Sequence, residues 1–134
     1  MPGELLFEYR GKVTSATIKE ITQAGVKVTY NLAGEVKGKY HAARLETVDA
    51  ILKPDRSGEF ENRFLDQTLD GETITGMAKG RSSTVNPTTI QVEGSGMFMT
   101  GSKKYAWLNG TSGRFEGSLN PLTGEVTVRV FSSK

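Results

Sequence analysis

The sequence predicts an all-β fold, namely a single antiparallel β-barrel that is closed or nearly closed, with one short helix near residues 102–108. Three observations lead to this prediction. Apolar residues recur at every second position over much of the chain, turn signals separate these segments, and no segment shows the period of a long amphipathic helix. Several glycines also lie inside the alternating segments. We expect them to mark bulges and corners of a closed sheet, which favours a barrel over a sandwich.

The strand predictions rest on alternation. In "GVKVTYNLAG", Val26, Val28 and Tyr30 share one face, and Lys27 and Thr29 lie on the other. The same pattern predicts the other strands, which in chain order are "ELLFEYRGKVTSATIKEI", "KYHAARLETVDAIL", "EFENRFLDQTL", "ETITGMAKG", "TTIQVEGSGMFMT", "GRFEGSL" and "GEVTVRVF".

The connections follow from turn residues. "PDRSG", "LDGE" and "NPLTG" are predicted as tight turns, and the polar stretch at residues 81–89 is predicted as a longer loop at the barrel mouth. In "GSKKYAWLNG", Ser102 can begin a helix and Asn109-Gly110 can end it. Tyr105 and Leu108 would then share one face and close an end of the barrel, while Trp107 would point elsewhere.

Length and composition limit the class of protein. A chain of 134 residues predicts one domain over residues 1–134. The absence of cysteine excludes disulfides and thiolate sites, and it fits a cytoplasmic location. We find no secretory signal and no apolar stretch long enough to span a bilayer. The 17 basic and 15 acidic residues are scattered, so we expect neither a nucleic-acid partner nor a membrane partner.

The C-terminal third carries a resemblance to known proteins. The run "FMTGSKKYAWLNGTSGRFEGSLNPLTGEVTVRVF" resembles the end of uncharacterised bacterial small β-barrel families. The Gly-x-Gly-x-Phe and Thr-Gly pattern at residues 94–101 is similar to the glycine-rich corner of allene-oxide-cyclase-like and dirigent-like barrels. The resemblance implies a short barrel with an interior cavity, often trimeric or otherwise oligomeric, that guides small organic molecules without a metal or nucleotide. It assigns no catalytic residue here.

Motifs for common chemistries are missing. His41 is the single histidine, and no Gly-x-Ser-x-Gly nucleophile turn is present. One histidine without cysteine or a spaced carboxylate array predicts no metal site, and we expect no cofactor.

Two predicted strands carry polar residues among apolar ones. "KYHAARLETVDAIL" places Arg44 and Glu46 on one face, and "EFENRFLDQ" places Asn62 and Asp66 on a face with two phenylalanines. If these faces point inward, they line a mostly apolar cavity that has a few polar groups. If they point outward, the charges are solvated or form weak cross-strand pairs. The sequence leaves both arrangements open.

Three functions remain possible from the sequence. The first is a barrel that encloses a small apolar or aromatic molecule, with walls from Tyr30, Phe60, Phe64 and Tyr105 and polar contacts from Arg44, Glu46 and Asn62. The second is a cofactor-independent isomerase, cyclase or lyase in the same cavity, in which Glu46 or Asp66 is the base and Arg44 or a tyrosine stabilises developing charge. The third is a filled barrel that serves as an assembly unit. Apolar residues on both strand faces predict a homo-oligomer, either a dimer or a trimer.

Overall fold

The computed structural model describes residues 3–133 and shows a closed barrel of antiparallel strands, which confirms the predicted fold class. Each strand pairs with its neighbours in the chain, and the last strand pairs with the first. The strands are β1 (Leu5–Thr22), β2 (Gly25–Gly38), β3 (His41–Leu52), β4 (Ser57–Thr68), β5 (Thr73–Asn86), β6 (Thr89–Met99), β7 (Ser112–Leu119) and β8 (Glu125–Ser132).

The helix predicted near residues 102–108 is shorter and lies later in the chain. It is a 3₁₀ helix over Ala106–Gly110. Ser102 Oγ accepts a hydrogen bond from the Tyr105 N–H at 3.3 Å, as a cap would, but the intervening residues form a turn. Asn109 bonds to both the N–H and the C=O of Thr100, at 2.9 and 3.0 Å. These bonds tie the two ends of the connection together and leave room for one short helical segment. No helix within residues 3–133 has the length and apolar character needed to cross a bilayer.

The loop predicted at residues 81–89 is wrong in its extent. β5 continues to Asn86 and β6 begins at Thr89, so the connection is a two-residue turn. Asn86 Oδ1 accepts a hydrogen bond from the Thr88 N–H at 3.0 Å and stabilises this turn locally. The polar residues that suggested a loop are therefore strand residues near the end of the barrel opposite the short helix.

The interior glycines accommodate aromatic rings. The ladder is regular and its bulges lie elsewhere, so the prediction of bulges is wrong for the five glycines concerned, which are Gly34, Gly38, Gly76, Gly94 and Gly96. A Cβ atom on Gly76 would lie 2.3 Å from Cζ of the Phe64 ring on the neighbouring strand. Because Gly76 has no side chain, the Phe64 ring can pack directly against the backbone of the sheet. The same arrangement holds for three directly opposed pairs: Phe60 and Gly80, Phe64 and Gly76, and Phe115 and Gly94.

The two ends of the barrel differ. At one end Phe7, Tyr40, Phe98, Tyr105 and Leu108 belong to one buried apolar cluster. Aromatic ring centroids in this cluster lie 5.3 to 6.0 Å apart, within the range of favourable aromatic pairs. The short helix therefore helps to close this end. At the other end, which we call the open end, β1 and β2 extend as a hairpin beyond β8.

Candidate functional site

A cavity of about 150 Å³ lies inside the barrel, between the closed end and the open end. Its wall is mostly apolar, with valine, leucine, isoleucine and phenylalanine from seven strands, while β5 contributes Ala78 and Ser82. The polar faces of β3 and β4 point into it, which decides between the two arrangements that the sequence left open. Six of the predicted site residues line the cavity: Tyr30, Arg44, Glu46, Phe60, Asn62 and Phe64.

Two predicted site residues lie elsewhere. Tyr105 packs against Tyr40 in the closed end with ring centroids 5.8 Å apart, and its hydroxyl donates to Asp70 Oδ2 at 3.0 Å. Asp66 is completely buried and does not border the cavity. Tyr105 thus contributes to the closed end, and Asp66 lies beneath the cavity.

Asp66 forms a buried ion pair with Arg44, its direct cross-strand neighbour. Arg44 donates from Nε to Oδ1 at 2.6 Å and from Nη2 to Oδ2 at 2.8 Å. The Tyr40 hydroxyl donates to Oδ2 at 2.6 Å. Burial favours the neutral guanidine, but the hydrogen bonds and the charge of Asp66 outweigh it and raise the pKa of Arg44. The charge of Arg44 is therefore already neutralised by Asp66.

The guanidinium of Arg44 lies among aromatic rings at the floor of the cavity. Its Cζ atom is 3.8 Å from the Phe64 ring centroid, 5.1 Å from that of Tyr9 and 5.2 Å from that of Phe7. These distances are within the range of cation–π contacts. The rings and Asp66 hold the guanidinium on several sides, so the cavity floor is preorganised.

Glu46 and Asn62 form the main polar contact in the cavity wall. Asn62 Nδ2 donates to Glu46 Oε2 at 2.5 Å. Burial raises the pKa of Glu46, and Arg44 and Asn62 partly oppose this increase. The surrounding protein removes Glu46 from bulk water, but its side chain keeps some accessible surface because it borders the cavity. A carboxyl group of raised pKa is thus within reach of a bound molecule.

Two buried polar atoms at the cavity lack a hydrogen-bond partner among the described residues. They are the hydroxyl of Tyr9 and Oδ1 of Asn62, and both residues line the cavity. A buried polar group without a partner costs about 1–3 kcal/mol, so each of these atoms gains if a bound molecule supplies one. Burial also raises the pKa of Tyr9, so its hydroxyl stays protonated as a donor.

Sequence reasoning did not select Tyr9. Its ring lies over Gly11 of its own strand, and a Cβ atom there would lie 2.1 Å from the Tyr9 hydroxyl. Gly34, which is opposite Gly11 on β2, is also in contact with this ring. A signal was present in the sequence, because an aromatic residue two positions before a glycine can place its ring over that glycine. The inward face of "ELLFEYRGKVTSATIKEI" could not be predicted, because the alternation of apolar and polar residues is not continuous along so long a strand.

The other histidine and carboxylate side chains within the described part of the chain give no second site. His41 lies on the outside of the barrel, 2.7 Å from a carboxylate oxygen of Glu35. Within residues 3–133, no three His, Asp or Glu side chains converge so that they could hold a metal ion.

No protein-family model and no curated protein matches this sequence. Solved structures share its fold. A protein of unknown function from Clostridium acetobutylicum matches with a TM-score of 0.87 at 19% identity, over 100% of each chain. A beta-barrel like protein from Acinetobacter baumannii matches with a TM-score of 0.81 at 22% identity, over 98% of this chain and 94% of its own. An enzyme from Penicillium herquei matches with a TM-score of 0.68 at 22% identity, over 98% of this chain and 96% of its own. At these identities the likeness shows the fold alone.

Proposed function

We propose that the barrel binds a small, neutral, mostly apolar molecule that carries a hydroxyl group, such as a phenol or a short alcohol. The observation that carries this proposal is the pair of unpartnered polar atoms in an otherwise apolar cavity, the Tyr9 hydroxyl and Asn62 Oδ1. A ligand hydroxyl has both capacities, so it can donate to Asn62 or accept from Tyr9 when these buried groups turn toward the cavity. The cytoplasmic location and the relationship to allene-oxide-cyclase-like barrels stay predictions.

The charges around the cavity favour a neutral ligand. A carboxylate would find Arg44 already paired with Asp66, and it would approach the carboxyl group of Glu46. An ammonium group placed near Glu46 would also approach the Arg44 guanidinium. Burial favours the uncharged form of Glu46, which reduces its attraction for a cation further.

The volume of the cavity limits the size of the ligand. A cavity of about 150 Å³ lined by apolar side chains is comparable to one that accepts benzene. The bound part of the ligand is therefore about one six-membered ring with a short substituent.

A set of matched probes tests this proposal. Isothermal titration calorimetry compares p-cresol, toluene, p-toluate and benzylamine, which share a ring and differ in the polar group. We expect p-cresol to bind most tightly. Tyr9→Phe removes only the unpartnered hydroxyl, so we expect the folded protein to keep its stability and to lose about fivefold in affinity for p-cresol, with toluene unchanged. Toluene binding as tightly as p-cresol, or p-cresol binding unchanged in Tyr9→Phe, would contradict the assignment of the polar atoms.

Two further results identify the other functions. If none of the four probes binds, the ligand proposal fails, and a role in assembly without a cavity ligand is the better description. If p-toluate or benzylamine binds best, the cavity selects a charged ligand.

Ala78→Leu is the matched control, because Ala78 lines the cavity and a larger side chain fills it. We expect this variant to lose p-cresol binding while its circular dichroism spectrum stays that of the parent.

The second candidate is a cofactor-independent isomerase, cyclase or lyase. Glu46 favours it, because a buried carboxyl group of raised pKa at a cavity wall is suited to proton transfer. The Tyr9 hydroxyl would donate a hydrogen bond to a developing oxyanion. Asp66 is less suited as the base, since it borders no cavity and already accepts bonds from Arg44 and Tyr40. A barrel of this fold is an enzyme in Penicillium herquei, so the fold is compatible with catalysis.

Deuterium exchange separates catalysis from binding. The probe is 4-methylcyclohexanone in heavy water, and proton NMR follows loss of the hydrogens next to its carbonyl group. Catalysis predicts exchange faster than in buffer, which Glu46→Gln abolishes while binding persists. Exchange at the buffer rate in the parent leaves a binding protein.

A further inference from the structure

The second half of β1 has a strand partner on one side only. β1 pairs with β8 from Leu5 to Lys12, and the Val13 N–H to Gly124 C=O bond of 2.9 Å lies at the end of this contact. Its pairing with β2 continues to Thr22. Residues 14–22 are all exposed, and no other strand within residues 3–133 lies along their second edge. This edge is a row of backbone groups that another strand can pair with.

The residues of this edge read almost the same in both directions. The stretch "TIKEIT", from Thr17 to Thr22, has threonine at its ends, isoleucine inside them and a lysine–glutamate pair at its centre. In an antiparallel pairing of two copies centred between Lys19 and Glu20, each lysine lies opposite a glutamate. Isoleucine then lies opposite isoleucine, and threonine lies opposite threonine.

A bulge in β1 places the residues that this pairing would oppose on the same side of the sheet. The register shifts between Ile18 and Glu20, which leaves Lys19 as an extra residue opposite β2. Ile18 pairs with Val28, which is buried in the barrel, and Ile21 pairs with Val26 on the same face. Ile18 and Ile21 therefore share the inner face although they are three residues apart.

The two central charges share the outer face. Glu20 is opposite Lys27 on β2, and their side chains form an ion pair at 3.4 Å. Lys19 lines the same surface groove as Lys27 and Thr29. Directly opposed residues in a two-fold antiparallel pair must point to the same side of the sheet. Ile18 with Ile21, and Lys19 with Glu20, meet this condition because of the bulge.

We propose that the protein forms a two-fold symmetric dimer in which the free edges of β1 from two copies pair antiparallel, with Lys19 of each copy opposite Glu20 of the other. Ile18 and Ile21, now 65% and 73% exposed, then lie next to their counterparts. A bulge and a lysine usually discourage pairing with unrelated strands. Here the bulge and the lysine produce a charge pattern that is complementary to itself, because Lys19 of one copy is opposite Glu20 of the other. This pattern favours pairing with a second copy of the chain over pairing with an unrelated strand.

Charge reversal at the two-fold axis tests the dimer. Size-exclusion chromatography with light scattering should give twice the 14.6 kDa mass of one chain for the parent protein. Lys19→Glu and Glu20→Lys each bring four like charges together, so we expect each variant alone to dimerise at least about tenfold more weakly. The two variants mixed in equal amounts regain opposite charges across the axis, so we expect a mixed dimer. Lys37→Glu, at the far end of β2, is the control and should dimerise like the parent.

The possible results are distinct. A monomeric parent at all concentrations, single variants as dimeric as the parent, or a mixture that stays monomeric would each overturn the proposal. Circular dichroism establishes that each variant is folded. The charge reversals lie on the outer face, so p-cresol binding should persist in the monomeric variants. A failure of the ligand proposal would therefore leave this experiment unaffected.

Discussion

The buried Arg44–Asp66 pair gives the sharpest test of the structure. Arg44→Met removes two of the three hydrogen bonds that Asp66 accepts and leaves only that of Tyr40. Asp66 is completely buried, so its carboxylate cannot turn to water. Breaking a buried pair by removing one partner typically costs about 3–5 kcal/mol. For a protein whose stability is about 5–15 kcal/mol, this is about a fifth of the total or more.

A double-mutant cycle separates the pair from ordinary packing. We expect Arg44→Met and Asp66→Asn each to lose about 3–5 kcal/mol, because each leaves one buried charge without its partner. The double variant removes both charges, so we expect it to lose less than the sum by at least about 2 kcal/mol. Urea unfolding followed by circular dichroism measures the four free energies.

An exposed pair on the same two strands is the control. Arg63 Nη2 lies 3.0 Å from Asp49 Oδ2, and both side chains are about half exposed. Arg63→Met should therefore lose less than about 1 kcal/mol. If Arg44→Met loses no more than Arg63→Met, or if the two buried substitutions are additive, the buried ion pair does not have the role that its geometry indicates.

Two further predictions concern Glu46 and the interior glycines. Because burial raises the pKa of folded Glu46 above its ordinary 4.5, its contribution to stability is full below that value and is lost as pH rises through the folded pKa. Glu46→Gln keeps an acceptor for Asn62, so urea unfolding should show it gaining stability relative to the parent as pH rises; a constant difference would contradict this. Gly76→Ala should lose about 1–3 kcal/mol, since its Cβ would lie 2.3 Å from Phe64 and 2.5 Å from a backbone oxygen. Gly101→Ala, with nothing within 4 Å, should change stability by less than about 0.5 kcal/mol in the same assay.

The fold was accessible from the sequence because alternation and turns are local signals. "GVKVTYNLAG" shows its inner face directly, and Val28 and Leu32 are buried as that pattern requires. The errors arose where two local signals compete. Polar residues between Arg81 and Thr89 indicated a loop, but the cross-strand ladder of β5 and β6 extends through most of them. Ser102 and Asn109 are turn-forming residues, and bonds across the connection limit the helix to five residues.

The candidate site was accessible in part. Arg44, Glu46 and Asn62 stood out because charged and amide groups are unusual on an apolar strand face. Tyr9 did not stand out, because the register shifts after Val13 and Ile18 interrupt the alternation along β1, and because the place of its ring depends on the absence of side chains at Gly11 and Gly34. Which polar atoms find partners is a tertiary property. Composition and periodicity carry no information about it.

The register of the β3–β4 hairpin explains why the ion pair escaped prediction. Arg44 and Asp66 are directly opposite, and the turn between their strands is closed by the Lys53 N–H to Ser57 C=O bond at 2.9 Å. Arg56 in this turn has a φ of 72°, which helps to set the length of the turn and hence which residues face each other. A slip of one residue along β4 would turn Asp66 outward and leave the Arg44 guanidinium buried among aromatic rings without a counter-ion. That arrangement is costly, so the ion pair selects one register of the hairpin and with it the faces of β3 and β4 that line the cavity.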